Sequence, residues 1–266
     1  MFGGRSASRN GCATPVRNTF ESMCGRYSLQ TPLTELADIF DADVRAEEAG
    51  PRYNVAPTDT VATLRRAGDR REITALRWGL VPRWSRGPGV GPLMINARSE
   101  SLDSRAAFRD LLSDYRCAVL ADGFYEWRTE HGLKQPYFVH RRDGSPLAFA
   151  ALWDTWGDLE STTIVTTEAN QLLLPLHDRM PVVLTEESLD RWLDPAEREF
   201  ERVRNDLRPC APGLLEAYPV TRRVNRTGDD DAEFVEPLDG PLKEPEAWGE
   251  RPAAGSSAPD DQLGLF

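Results

Sequence analysis

The chain has 266 residues, 40% of them hydrophobic and 9% aromatic, with a formal net charge of −11; that is enough apolar material for one substantial core. Nothing approaches the roughly 18 consecutive apolar residues a bilayer span requires. Four scattered cysteines, Cys12, Cys24, Cys117 and Cys210, with no CxxC pair, argue against a disulfide framework or zinc site and for a reducing cytoplasm.

Met1–Ser22 carries scattered arginines and no apolar h-region, so it does not read as a secretory signal. "GRYSL" reads as a strand, and Thr31-Pro32 as N-cap and first residue of an amphipathic helix through Leu33, Leu36, Ile39 and Phe40. "RYNVAPTD" is loop-like around Pro57, while "TVATLRR" and "REITALRWGL" form a pair of strands. A Pro/Gly-rich connection, Val81–Pro92, leads to "LMINARSESL" and a short helix near Ser104–Leu112. Four apolar runs with strand character follow: "RCAVLADGFYEW", "PYFVHRR", "LAFAALWDTW" and "TTIVTT". "RRDGSP", between the second and third, is a hairpin signal. "SLDRWL" and "AEREFERVRNDL" are helical, and "AYPV" is a closing strand. From Thr227 to Phe266, Pro, Gly, Ser and acidic residues predict disorder.

The net acidity is a property of that tail. Residues 228–266 hold eleven acidic residues against Lys243 and Arg251, a balance of −9 that leaves −2 for residues 1–227. In those 227 residues the cations are arginines, apart from Lys134, and arginine's planar fork suits phosphate. A basic groove on a nearly neutral body is therefore compatible with the composition.

Taken singly, the polar candidates are ambiguous. Cys24 reads equally as a small buried hydrophobe, His177 as a satisfied core histidine, and Asn96 and Arg98 as turn and surface residues. Glu126 interrupts the aromatic run "GFYEW", where a carboxylate is costly to bury without a partner, and so is a candidate tuned acid.

Taken together, "MCGRYSL", "RYNVAPT", "RWGLVPRW", "MINARSES", "LADGFYEW" and "LHDRMPVVL" occur in this order and resemble the SRAP family of abasic-site processing proteins. The resemblance spans about Met23 to Val224 and implies a single α+β domain, residues 23–226. Its expected core is mainly antiparallel and barrel-like, with flanking helices, and no metal or organic cofactor. It implies that Cys24, exposed as the first residue, bonds covalently to an abasic site in single-stranded DNA. Asn96 positions the sugar, Glu126 is the acid/base and His177 is a second proton-handling group that could also support β-elimination. Arg26 and Arg98 match phosphate-holding positions. Asn54, Pro57, Trp78, Trp84 and Arg179 join the DNA-binding set, with core packing an equal account of the tryptophans.

An α-amine with a pKa of about 7.7–8.0 is far more often neutral at pH 7 than lysine at about 10.4. It can attack the open aldehyde of an abasic sugar to give an imine, and the thiol two carbons away can then close a five-membered thiazolidine. An amide nitrogen cannot, because its lone pair is delocalised. This chemistry requires everything ahead of Cys24 to be absent: either residues 1–22 are a misassigned start and the initiator Met23 is removed, or the chain cleaves itself before Cys24. Two other readings stay open: a cysteine peptidase using Cys24 with His177, and a non-covalent single-stranded DNA-binding module. Gln262, Leu263, Leu265 and Phe266 in the terminal "QLGLF" resemble a peptide that grips a bacterial sliding clamp. Nothing in the sequence calls for an oligomer.

Overall fold

The computed structural model describes residues 24–130 and 133–238; residues 1–22 and the "QLGLF" peptide lie outside them. In chain order the elements are β1 (Tyr27–Leu29), α1 (Leu33–Phe40), β2 (Ala42–Val44), β3 (Arg52–Val55), β4 (Thr60–Ala67), β5 (Arg70–Trp78), β6 (Asn96–Arg98) and β7 (Arg116–Ala121). There follow β8 (Gly123–Glu130), β9 (Leu133–Arg141), β10 (Leu147–Trp156), β11 (Leu159–Glu168), β12 (Arg179–Pro181), α2 (Glu186–Leu193), α3 (Phe200–Arg204) and β13 (Leu215–Pro219).

Two sheets enclose the core. The smaller runs β13-β9-β8-β1-β3; the larger runs β12-β11-β10-β7-β4-β5-β2, with β6 also paired to β11. A parallel contact between β11 and β5 closes β11, β10, β7, β4 and β5 into a ring, as the expected barrel-like core requires. Alternation along β8 divides its side chains. Phe124 joins the core cluster between the sheets with Tyr27, Val55, Trp78 and Phe149, while Tyr125 packs on the other face with Phe138, Val220 and Phe234.

Several elements differ from the sequence reading. "RYNV" is a strand rather than a loop: Val55 is buried and pairs with Tyr27, and Pro57 follows the strand's end. The first helix starts one residue later, with Pro32 at the N-cap and no side-chain cap. Thr31 is held instead by the Asp122 carboxylate through its N–H and hydroxyl, and Glu48 accepts from the Leu33 N–H at 2.8 Å. Near Ser104–Leu112 there are only two 3₁₀ turns, Ser99–Ser101 and Arg109–Leu111. There the Ser101 and Ser104 hydroxyls bond local carbonyls, which competes with helix continuation. The last predicted helix shrinks to Phe200–Arg204.

"RRDGSP" does form a turn, with Gly144 at φ 73° and its N–H on the Arg141 carbonyl, yet the strands it joins enter different sheets. Similarly, "RCAVLADGFYEW" breaks at Asp122, where the chain leaves the large sheet for the small one. Gly123 permits this crossing: a Cβ there would collide with the Phe138 ring and lie 2.7 Å from the Val139 carbonyl.

The predicted disorder from Thr227 is overturned for residues 228–238. Asp230 accepts from the Tyr53 N–H and from Arg52, and Arg223 pairs with Asp231 and Glu233. Phe234 is fully buried. The acidic residues here are counter-charges to arginines of the body, which is why this part of an acidic run folds.

Candidate active site at Cys24 and Glu126

Cys24 lies three residues before the start of β1, with φ at 44° and 3% of its surface exposed. The left-handed region is uncommon for a non-glycine residue and carries strain. Cys24 meets Glu126, which projects from β8 and is 1% exposed. The Cys24 N–H and S–H both donate to Glu126 Oε1, each at 2.8 Å. In this chain that nitrogen is the amide following residue 23; it stands where the α-amine would lie in a chain beginning at Cys24.

Burial is the main cause that pushes the Glu126 carboxyl up to about 7, and the Asp178 charge adds to it. The Cys24 thiol is held well above its ordinary range, first by burial and then by Glu126, with Arg179 acting in the opposite sense. A carboxyl poised near neutrality can both give and take a proton. The thiol stays protonated until a base receives its hydrogen.

β11 organises the surroundings. Its Ile164 aligns with Asn96, and its Thr166 aligns with Arg98 of β6 and with Pro181 of β12. The segment entering β12 carries His177, three-quarters buried, whose Nδ1 accepts from the Arg179 backbone N–H at 3.0 Å. Nδ1 also lies 3.1 Å from Asp178 Oδ1. That second contact is an ion pair only if Nδ1 is protonated. The Arg179 guanidinium spans Glu100 Oε1 and Oε2 at 2.6 and 2.9 Å. Among the described residues no group of three or more His, Cys, Asp or Glu side chains could hold a metal ion.

The family model described as SOS response associated peptidase (SRAP) matches residues 23–227. The chain belongs to the SRAP family. The abasic site processing protein YoqW of Bacillus subtilis is 36% identical over 222 residues, 80% of this chain and 99% of that protein. YedK of Escherichia coli, also named an abasic site processing protein, is 33% identical over 226 residues, 81% of this chain and 100% of YedK. A solved Bacteroides thetaiotaomicron protein shares the fold with a TM-score of 0.73 at 23% identity, covering 80% of this chain and 99% of that one. A phage-related protein of Bordetella bronchiseptica gives 0.61 at 31%, covering 75% and 95%.

Not every expected DNA contact in this SRAP chain is open to DNA. Trp78 is fully buried, 5.4 Å from Tyr27 ring to ring, and its Nε1 donates to the Ile95 carbonyl; it packs the core and cannot stack on a base. Trp84 is 64% exposed in the connection before β6 and is available for stacking. Pro57 is half-buried in the turn after β3, and Arg98 is exposed.

Asn54 is buried and its side chain is committed to the protein. Oδ1 accepts from Arg26 at 2.7 Å, and Nδ2 donates to the Arg226 and Asp229 carbonyls at 3.0 and 2.8 Å. It brackets the C-terminal segment. Arg26 also donates to the Val224 carbonyl at 2.9 Å. We expect Asn54→Ala to cost on the order of 3 kcal/mol by leaving buried partners unsatisfied. Limited proteolysis of that variant should cut within residues 224–238, and full resistance there would refute the bracket role.

Asp178 and Glu100 went unnoticed in the sequence although both lie inside quoted segments, "LHDRMPVVL" and "MINARSES". Only their placement beside His177 and Arg179 reveals them.

Proposed function

We propose that this protein, with Cys24 as its first residue, captures abasic sites in single-stranded DNA as a covalent thiazolidine and so shields them from strand breakage. The observation that carries this reading is the convergence of the Cys24 nitrogen and sulfur on one oxygen of a carboxyl tuned to about 7. The abasic-site processing named for YoqW and YedK supports the same reading.

In the proposed sequence, Glu126 exchanges protons with the closed sugar to release its aldehyde. The neutral α-amine adds to the aldehyde carbon and water departs, leaving an imine. The thiol then gives its proton to Glu126 while sulfur bonds to the imine carbon, and the nitrogen regains a proton as the ring closes. Asn96 orients the sugar, His177 assists proton transfer or a β-elimination side reaction, and Arg26, Arg98 and Trp84 hold the flanking strand. The "QLGLF" peptide would tether the protein to a sliding clamp.

The test is to incubate protein beginning at Cys24 with an oligonucleotide carrying one abasic site. A species that survives boiling in detergent is expected; a mobility shift without a covalent species would refute the reading and favour a non-covalent module.

A second reading, self-cleavage before Cys24, is favoured by the left-handed φ at Cys24. In a longer chain Sγ would attack the carbonyl of residue 23, the Cys24 nitrogen would leave with a proton from Glu126, and water would hydrolyse the thioester. Once residue 23 is gone, Cys24 has no φ torsion and the strain vanishes.

A further inference from the structure

The connection between β5 and β6 carries Trp84, 64% exposed, on a segment rich in glycine and proline, where a mobile side chain is the ordinary expectation. The hairpin of β10 and β11 restricts it. Ser161 and Asp154 face each other across that hairpin, both buried, and Trp156 follows two residues beyond Asp154 on the same face of β10. The Ser161 hydroxyl accepts from the Val81 N–H at 2.8 Å. Asp154 Oδ2 accepts from the Arg83 N–H at 2.9 Å, and Oδ1 accepts from Arg83 Nε at 2.8 Å. Trp156 Nε1 donates to the Ser85 carbonyl at 2.9 Å, and its ring lies against Gly87, where a Cβ would come within 3.3 Å of it. Val81, Arg83 and Ser85 are thus each tied to the hairpin, and Trp84 sits between two tied residues with its own ring in solvent.

Asp154 is the informative member. A carboxylate only 2% exposed is costly unless it is paired, and this one spends its oxygens on Arg83 and on the Thr155 N–H. The Arg83 guanidinium is held from a second side, its central carbon 4.2 Å from the centroid of the Tyr115 ring. An arginine clasped between a buried carboxylate and an aromatic face anchors its own main chain, and the next residue along that main chain is Trp84. An aromatic group fixed before binding loses little freedom when a base stacks on it, so more of the stacking energy appears as affinity.

We propose that Asp154 is a positioning residue for single-stranded DNA: through Arg83 it fixes Trp84 as a preformed platform for an unpaired base. This rests on the strand-holding role given to Trp84 above and not on the covalent step.

The test is a double-mutant cycle. Affinity for an undamaged single-stranded oligonucleotide is measured for the parent, Trp84→Ala, Asp154→Ala and the double variant, all beginning at Cys24; undamaged DNA keeps the thiazolidine chemistry out of the measurement. Trp84→Ala should weaken binding about tenfold, within the range for one base stacked on an aromatic ring. Asp154→Ala should weaken it about fivefold, the scale of a side chain left to be ordered on binding. That direction is diagnostic, because losing a negative charge would by itself tighten binding to a polyanion. With Trp84 already removed, the same change should not weaken binding, since the two residues act as a unit. Asp154→Asn, which keeps an oxygen for the Arg83 N–H, should recover most of the affinity. Trp156→Phe loses the bond to Ser85 while keeping a ring on Gly87; it should weaken binding about threefold, again only where Trp84 is present, and it carries the test if Asp154→Ala folds poorly. Unchanged or tighter binding in a folded variant, or an equal loss with and without Trp84, overturns the proposal. Trp84→Ala that binds as tightly as the parent overturns the strand-holding role of Trp84 itself.

Discussion

Three kinds of chain that differ only at or ahead of residue 24 are expected to part completely in the abasic-site reaction. The chain beginning with free Cys24 forms the heat-stable adduct. A chain that keeps residues 1–23, or one whose Cys24 nitrogen is acetylated, forms none, because an amide lone pair cannot attack an aldehyde. In the third, Cys24→Ser with a free amine, an imine still forms but hydroxyl oxygen is a poorer ring-closing nucleophile than sulfur. Its product should be lost on boiling and retained only after borohydride reduction. The geometry supports this division of labour, since nitrogen and sulfur share Glu126 Oε1 at 2.8 Å. With the thiol held protonated by burial and by Glu126, sulfur should react only after the amine has brought the imine carbon to it. Mass spectrometry must accompany the assay, because a chain that trims itself would mimic the first. An intact, uncut longer chain that reacted as fast as the free-Cys24 form would defeat the mechanism.

The sequence carried the strands better than their connections. Alternating or continuous apolar runs marked β4, β5, β9, β10 and β11 because their burial follows directly from side-chain chemistry. What a local pattern could not convey is which sheet a strand enters. Asp122 and Gly123 redirect the chain through contacts with Thr31, Phe138 and Val139, and all three partners lie more than a dozen residues away in sequence. The docking of residues 228–238 was hidden for a similar reason: acidic residues read as solvated until Arg52 and Arg223 are placed beside them. Within the site, residue type and order singled out Cys24 and Glu126, and their contact gives that reading a geometry. Trp78 and Trp84 sit six residues apart with the same side chain, and only the fold distinguishes a core residue from an exposed one. Asn54 carried the right chemistry for either a DNA contact or a bracket, and only the fold reveals its hydrogen bonds to the carbonyls of Arg226 and Asp229.

Glu126→Gln is expected to separate stability from activity. Adduct formation should slow by about 10²–10⁴-fold, the usual contribution of a positioned acid/base, because glutamine neither gives nor takes a proton. Stability should move the other way above neutrality. An unfolded glutamate titrates near 4.3, whereas in the folded protein burial pushes Glu126 up to about 7. Between those values the folded chain binds a proton that the unfolded chain has released, so stability falls as pH rises. The favourable contribution is complete below the unfolded value and is lost as pH passes through about 7. At pH 8 the buried charge then costs on the order of 3 kcal/mol. Glutamine has no such charge, but its amide hydrogens need partners, a cost that is the same at every pH. The diagnostic is therefore the pH dependence of the difference rather than its size. Glu126→Gln should gain on the parent by several degrees in Tm between pH 5 and pH 8, at about 2–4 °C per kcal/mol for a domain of this length. A gap that stayed constant across that range would mean that Glu126 titrates normally in the folded protein, and its role as a neutral-pH proton carrier would fall with it.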